Sequence, residues 1–139
     1  MRSITLDSCI YVSALKFGGK PMTLVEKGIS GEVDIAVSEE IIEETLGVLR
    51  DKFGWTTGQL AEAEETIRSA THVVKPKIKL EVVKADPDDD RILECAVEAG
   101  SEFIISHDNH LLKLKSYEGI EVIKAGAFLH RLEARAQSR

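Results

Sequence analysis

Cysteine is scarce in this chain: Cys9 and Cys95 lie far apart in apolar surroundings, without the spacing of a metal site. That excludes a cysteine-built metal centre and points to two buried, reduced thiols, as in a cytoplasmic protein. Long apolar runs are missing, so no segment spans a membrane, and Asp7 interrupts the only apolar run near the N-terminus, which rules out a signal peptide. Positive charge is in deficit as well. With 24 acids against 18 bases the net charge is −6, which argues against holding nucleic acid by bulk electrostatics and leaves room only for a local basic rim. No repeat or linker divides the 139 residues, which suit one domain over 1–139. At 43% hydrophobic and 30% charged residues the chain has a core's worth of apolar side chains; only the polar, basic end from Glu133 to Arg139 invites disorder.

What is present is an alternation of short β-branched runs with helical stripes. Ser3 to Leu6 reads as a strand ending at Asp7, and Ser8 to Leu15 as a helix, with a break over Phe17 to Pro21. Pro21 can start a helix over Met22 to Ile29, with Leu24, Val25 and Ile29 on one side and Gly31 closing it. Val33 to Val37 is the next strand. Ser38 caps a helix over Glu39 to Lys52 that buries Ile41, Ile42, Thr45, Leu46, Val48 and Leu49, and Phe53 to Trp55 breaks it. Thr57 to Ala70 is helical, and His72 to Val74 a short strand. Ile78 to Val83 is either an edge strand or an extended connection.

Asp86 suits a helix cap and Pro87 the first helical position of a helix running to Ala99. Glu102 to Ser106 is a buried strand, a turn follows from Asp108 through Lys113, Ile120 to Ile123 is the last strand, and Ala125 to Arg135 the last helix. Strands alternating with helices predict an α/β protein, a three-layer α/β/α sandwich around a central parallel sheet.

Open α/β sheets bind ligands outside the carboxyl ends of their strands, where Asp7 and Asp108 both fall. Asp89 shares a helical stripe with Ile92, Leu93 and Ala96 and is the better inward acid; Asp90 keeps more mixed company and suits the rim. Glu44, flanked by Ile41 and Val48, is a better candidate than Glu43. Clustered carboxylates either take up protons or bind a cation. All-oxygen donors select Mg²⁺ or Mn²⁺ over Zn²⁺, and the chemistry that follows is metal-assisted phosphodiester hydrolysis.

At these positions the sequence resembles the PIN-domain family of metal-dependent ribonucleases, especially the small toxin components of toxin–antitoxin pairs. Leu6 to Leu15 looks like the family's opening motif, Ser38 to Leu46 its second, Asp86 to Ala96 its third and Ile104 to Leu112 its fourth. The resemblance implies Asp7, Glu44, Asp89 and Asp108 as catalytic metal ligands, Mg²⁺ or Mn²⁺ as cofactor and RNA as substrate. It also implies a cognate antitoxin, often a homodimer, and no membrane partner. Asp90, Ser106 and Asn109 fall around the acids as supporting or rim groups. Ser106, where the family commonly has Thr, keeps a hydroxyl able to orient Asp108. Cys9 stands where the family commonly has Asn. Lys16 and Lys20, Arg91, and Lys113 and Lys115 are candidates to line an RNA path. His107 and His110 read as surface histidines, although His110 could reach a phosphate.

Two rival functions follow from the same residues. One is a catalytically weak PIN-like module that binds RNA or an antitoxin. The other is an aspartyl-phosphate phosphatase starting from Asp7, which needs a second aspartate where Cys9 stands.

Overall fold

A short strand of Val, Ile and Phe with no charge holds its place only when both of its faces are covered, and the architecture is built to cover them. A computed structural model describes residues 2–82 and 87–137. In chain order the elements are β1 (Arg2–Leu6), α1 (Ser8–Phe17), α2 (Gly19–Ile29), β2 (Val33–Val37), α3 (Glu39–Asp51) and α4 (Thr57–Ala70). There follow β3 (Thr71–Val73), α5 (Pro87–Ala99), β4 (Phe103–Ile105), α6 (Asn109–Leu112), β5 (Ser116–Tyr117), β6 (Ile120–Ile123) and α7 (Ala125–Gln137). The strands form one sheet in the order β3-β2-β1-β4-β6-β5. The chain winds outward from β1 through β2 to β3, then returns past β1 to place β4 on its other side. With right-handed crossovers the helices of the first two connections cover one face, and α5 lies across β1, β2 and β4 on the other. The result is the expected α/β/α sandwich.

The strand order reverses between β1 and β4, which run parallel with Thr5 opposite Ile104 and Leu6 opposite Ile105. A crevice forms where neighbouring connections depart in opposite directions, so the carboxyl ends of these two strands flank the natural ligand position of the sheet. Ile4, Leu6, Ile104 and Ile105 are fully buried. Strand alternation turns Thr5, and Ile104 opposite it, toward α5, where the Thr5 hydroxyl lies 4.0 Å from Cys95 Sγ, and Ile92, Leu93 and Ala96 of α5 are buried as their stripe requires. At the other end of the sheet Phe128 of α7 meets Phe103 edge-on, with ring centroids 5.4 Å apart.

The structure departs from the sequence reading in several places. The sheet is not wholly parallel: β5 pairs antiparallel with β6 through the two-residue turn Glu118-Gly119, both with positive φ. A strand of two residues leaves no periodicity to read. Ile29 is 52% exposed rather than packed, because α2 ends there. Leu46 and Val48 of α3 are half-buried while Ile41, Ile42, Thr45 and Leu49 are buried. Helix α7 continues to Gln137 through most of the polar end. The proposed cap Asp86, and Val83, lie outside the described residues.

Residues 74–82 resolve the open choice in favour of an extended connection. Its amides go to side chains of α5 rather than to a strand: Lys77 N–H donates to Glu98 (3.0 Å), Leu80 N–H to Glu94 (2.7 Å) and Val82 N–H to Asp90 (2.9 Å). Three carboxylates at four-residue spacing share one helix face and hold the segment along it like a strap.

Helix α2 approaches its neighbours closely at Gly28. A Cβ there would lie 2.4 Å from the carbonyl oxygen of Ala70 and 2.5 Å from Cδ1 of Ile35. Backbone cannot yield as a flexible side chain does. Gly28→Ala is expected to cost about 1–3 kcal/mol in urea unfolding, where Gly47→Ala, with only the Arg50 side chain nearby, serves as the tolerant control.

Candidate active site

Asp7 follows β1 and opens α1 without spending its carboxylate on a cap bond. Its own N–H donates to Ile105 O at 2.9 Å, extending the β1–β4 pairing by one residue. The side chain is therefore fixed at the crevice, buried, with Ser106 Oγ–H donating to Oδ2 at 2.7 Å and Ser8 Oγ–H to Oδ1 at 3.3 Å. Burial pushes the Asp7 carboxyl above its ordinary range, the nearby charge of Asp108 adds to the rise, and the Ser106 hydroxyl opposes it.

Ser106 is the joint between the two strand ends. Its fully buried hydroxyl also accepts from Asp108 N–H at 2.9 Å, so one oxygen ties the Asp7 carboxylate to the backbone of the Asp108 turn. Asp108 in turn caps α6, its Oδ1 accepting from His110 N–H at 2.8 Å. An ionised carboxylate has about four acceptor positions, so the cap does not exhaust it.

Glu44, half-buried on α3, completes a row. Burial first, then the charges of Asp88 and Asp7, push its carboxyl up to about 7, against a bond from the Ser8 hydroxyl. Asp89, 3% exposed at the start of α5, brings a carboxylate oxygen within 4.8 Å of donor atoms on Asp108 and His110. The four acids singled out in the sequence thus converge from β1, α3, α5 and the turn after β4. The groups that set Asp7 and Glu44 are hydroxyls, a thiol and other carboxylates, with no lysine or arginine among them. A donor set of this kind fits a hard divalent cation.

Other sequence candidates fall into different places. Asp90 is as buried as Asp89, at 4% exposed, but its Oδ1 holds Val82 of the strap. Arg91 also holds the strap, its guanidinium donating to Leu80 O at 3.1 Å and to Glu94 at 2.7 Å. Lys16 sits nine residues along α1 from Asp7, about 13 Å by helical rise, with its ammonium 3.7 Å from the centroid of the Phe53 ring. Asn109 and Lys113 are exposed on either side of α6, and His107 is exposed. Cys9 is half-buried and its thiol is pushed up to about 12, by burial first and the charge of Asp7 second, so it stays neutral. It supplies no acid/base group for an aspartyl-phosphate reaction.

Two residues of the cluster escape the sequence reading. Asp88 bonds Glu44, a meeting of α3 with α5 that no one-dimensional pattern reveals. His110 joins Asp89 and Asp108, and here a signal exists: an N-cap folds the second following residue back toward the capping carboxylate.

An α/β/α sandwich with carboxylates gathered at the switch between its central strands defines an α/β protein with an acidic crevice at the carboxyl ends of its sheet. A family model described as PIN domain matches residues 3–110, and the chain belongs to the PIN-domain family. PIN domains are generally metal-dependent nucleases. No curated protein matches the chain. Among the described residues no helix is long and apolar enough to cross a membrane.

Ser106→Ala would strip a buried acceptor from Asp108 N–H, at an expected cost of about 1–3 kcal/mol in chemical denaturation. Ser106→Thr, which keeps the hydroxyl, is expected to recover most of that loss.

Proposed function

We propose that this protein is a Mg²⁺- or Mn²⁺-dependent endoribonuclease, the toxin of a toxin–antitoxin pair. The observation that carries the catalytic part is the convergence of Asp7, Glu44, Asp89 and Asp108 on one crevice, with Asp7 and Glu44 both held toward protonation by burial and by neighbouring carboxylate charge. Such a site is relieved by a cation. Asp7, Asp89 and Asp108 would hold it, with Glu44 and Asp88 closing the ring. When bound, the cation stabilises charge on the phosphodiester and acidifies water for attack in line with the leaving oxygen.

The chain's own groups supply orientation. Ser106 and Ser8 fix the Asp7 carboxylate, and the Ser106–Asp108 bond keeps the acids of β1 and β4 at one separation. RNA is the polyanion that the family resemblance favours, and a strand running along α5 away from the acids would meet cations. Lys75, Lys77 and Lys79 are exposed on the strap, and Val82 at its far end is bonded to Asp90 beside the acids. Pairing with an antitoxin and homodimer assembly rest on the family resemblance, and a cytoplasmic location on the two reduced thiols and the lack of a long apolar run.

Purified protein incubated with single-stranded and structured RNA is expected to cleave in Mn²⁺ or Mg²⁺ and to stop in chelator. Asp7→Asn and Asp108→Asn should each lower the rate by more than the about 100-fold typical of changes around, rather than at, metal ligands. Cleavage that survives chelator or both variants contradicts the proposal. Tight Mn²⁺ binding with no turnover on any RNA would favour the catalytically weak binding module instead.

A further inference from the structure

Among the described residues, His110 is the basic side chain that reaches the acid cluster itself. Its backbone N–H is fixed by Asp108 Oδ1 at 2.8 Å, and its imidazole Nδ1 returns to 3.4 Å from the same oxygen. One donor atom each from His110, Asp89 and Asp108 lie mutually within 4.8 Å. Ligands about 2.1 Å from a shared octahedral cation stand roughly 3–4 Å apart, so a modest closure of these three side chains encloses one. The cap needs only the amide of His110, which leaves the ring available to a ligand. At 52% exposed, that ring turns without disturbing the core.

Resting on the nuclease reading above, we propose that His110 is a nitrogen ligand of the catalytic cation and makes the site prefer Mn²⁺ to Mg²⁺. The reason lies in donor chemistry. Mg²⁺ is bound almost wholly by oxygen and keeps its waters, whereas imidazole binds first-row transition ions and adds nothing for Mg²⁺. Asp7, Glu44, Asp89 and Asp108 would by themselves serve either ion. One imidazole in the set breaks that parity. Asp108 holds both sides of the device, as a carboxylate donor to the ion and as the cap that orients His110.

Pulsed electron paramagnetic resonance of Mn²⁺ bound to the full chain is expected to show nitrogen modulation from a coordinated imidazole. His110→Gln, which preserves the backbone cap, should abolish that signal. By titration calorimetry the same variant should weaken Mn²⁺ by at least about tenfold while changing Mg²⁺ less than about twofold. Mn²⁺ that binds with no nitrogen modulation overturns the inference and leaves the nuclease reading standing. Equal losses for the two ions also overturn it, assigning His110 the positioning of Asp108 only. Failure of the parent protein to take up Mn²⁺ at all overturns both.

Discussion

Mutual repulsion among carboxylates is the constraint around which this molecule is arranged. Asp7, Glu44, Asp88, Asp89 and Asp108 arrive from four separate parts of the chain, and the folded state must hold them closer than they would choose. The core supplies the means. Leu6 and Ile105 are fully buried and in register, so Asp7 and the Asp108 turn leave adjacent strand ends in fixed directions. Ile92, Leu93 and Ala96 seat α5 on the sheet, and Asp89 rides on that stripe whether or not its charge is welcome. One fully buried hydroxyl, on Ser106, then fixes the separation between the first and last acids. Each acid is carried by an element whose packing has other reasons to hold.

Most of that plan is legible in the sequence. Short β-branched runs ending in aspartate identify β1 and β4, and a three-four-seven spacing orients α5 and selects Asp89. Such signals are local, and local periodicity survives in one dimension. What escapes is set by contacts between distant segments. Arg91 reads as an RNA-facing cation, yet it is drawn to Leu80 O, eleven residues upstream on the strap, and to Glu94. Lys16 is near Asp7 in sequence, but a helix carries nine residues a long way and Phe53 from the turn after α3 receives the ammonium. Asp88 is hidden in a run of acids because its partner Glu44 lies on α3.

The strap gives this acidic protein a short run of outward lysines. Asp90, Glu94 and Glu98 accept backbone amides of 77–82, so three of the chain's acids serve to hold this segment on α5. The lysines of the same segment are turned outward to solvent. A net charge of −6 is therefore unevenly spread, with acids gathered at the crevice and lysines along the strap.

If a cation fills the crevice as proposed, the gathered acids burden the fold until it joins them, and that burden is read in the pH dependence of stability. A carboxyl raised from its ordinary 4.5 to about 7, as Glu44 is, binds more proton folded than unfolded across that window, so its contribution to stability falls as pH rises. Melting of the parent and of Glu44→Gln should be compared from about pH 5 to about pH 8, in chelator and in saturating Mn²⁺. In chelator the parent is expected to lose ground steadily to the variant as pH rises, and Mn²⁺ to reverse their order at the upper end. Parallel profiles for the two proteins, with Mn²⁺ moving neither, would mean that Glu44 carries no such burden and that no cation relieves it.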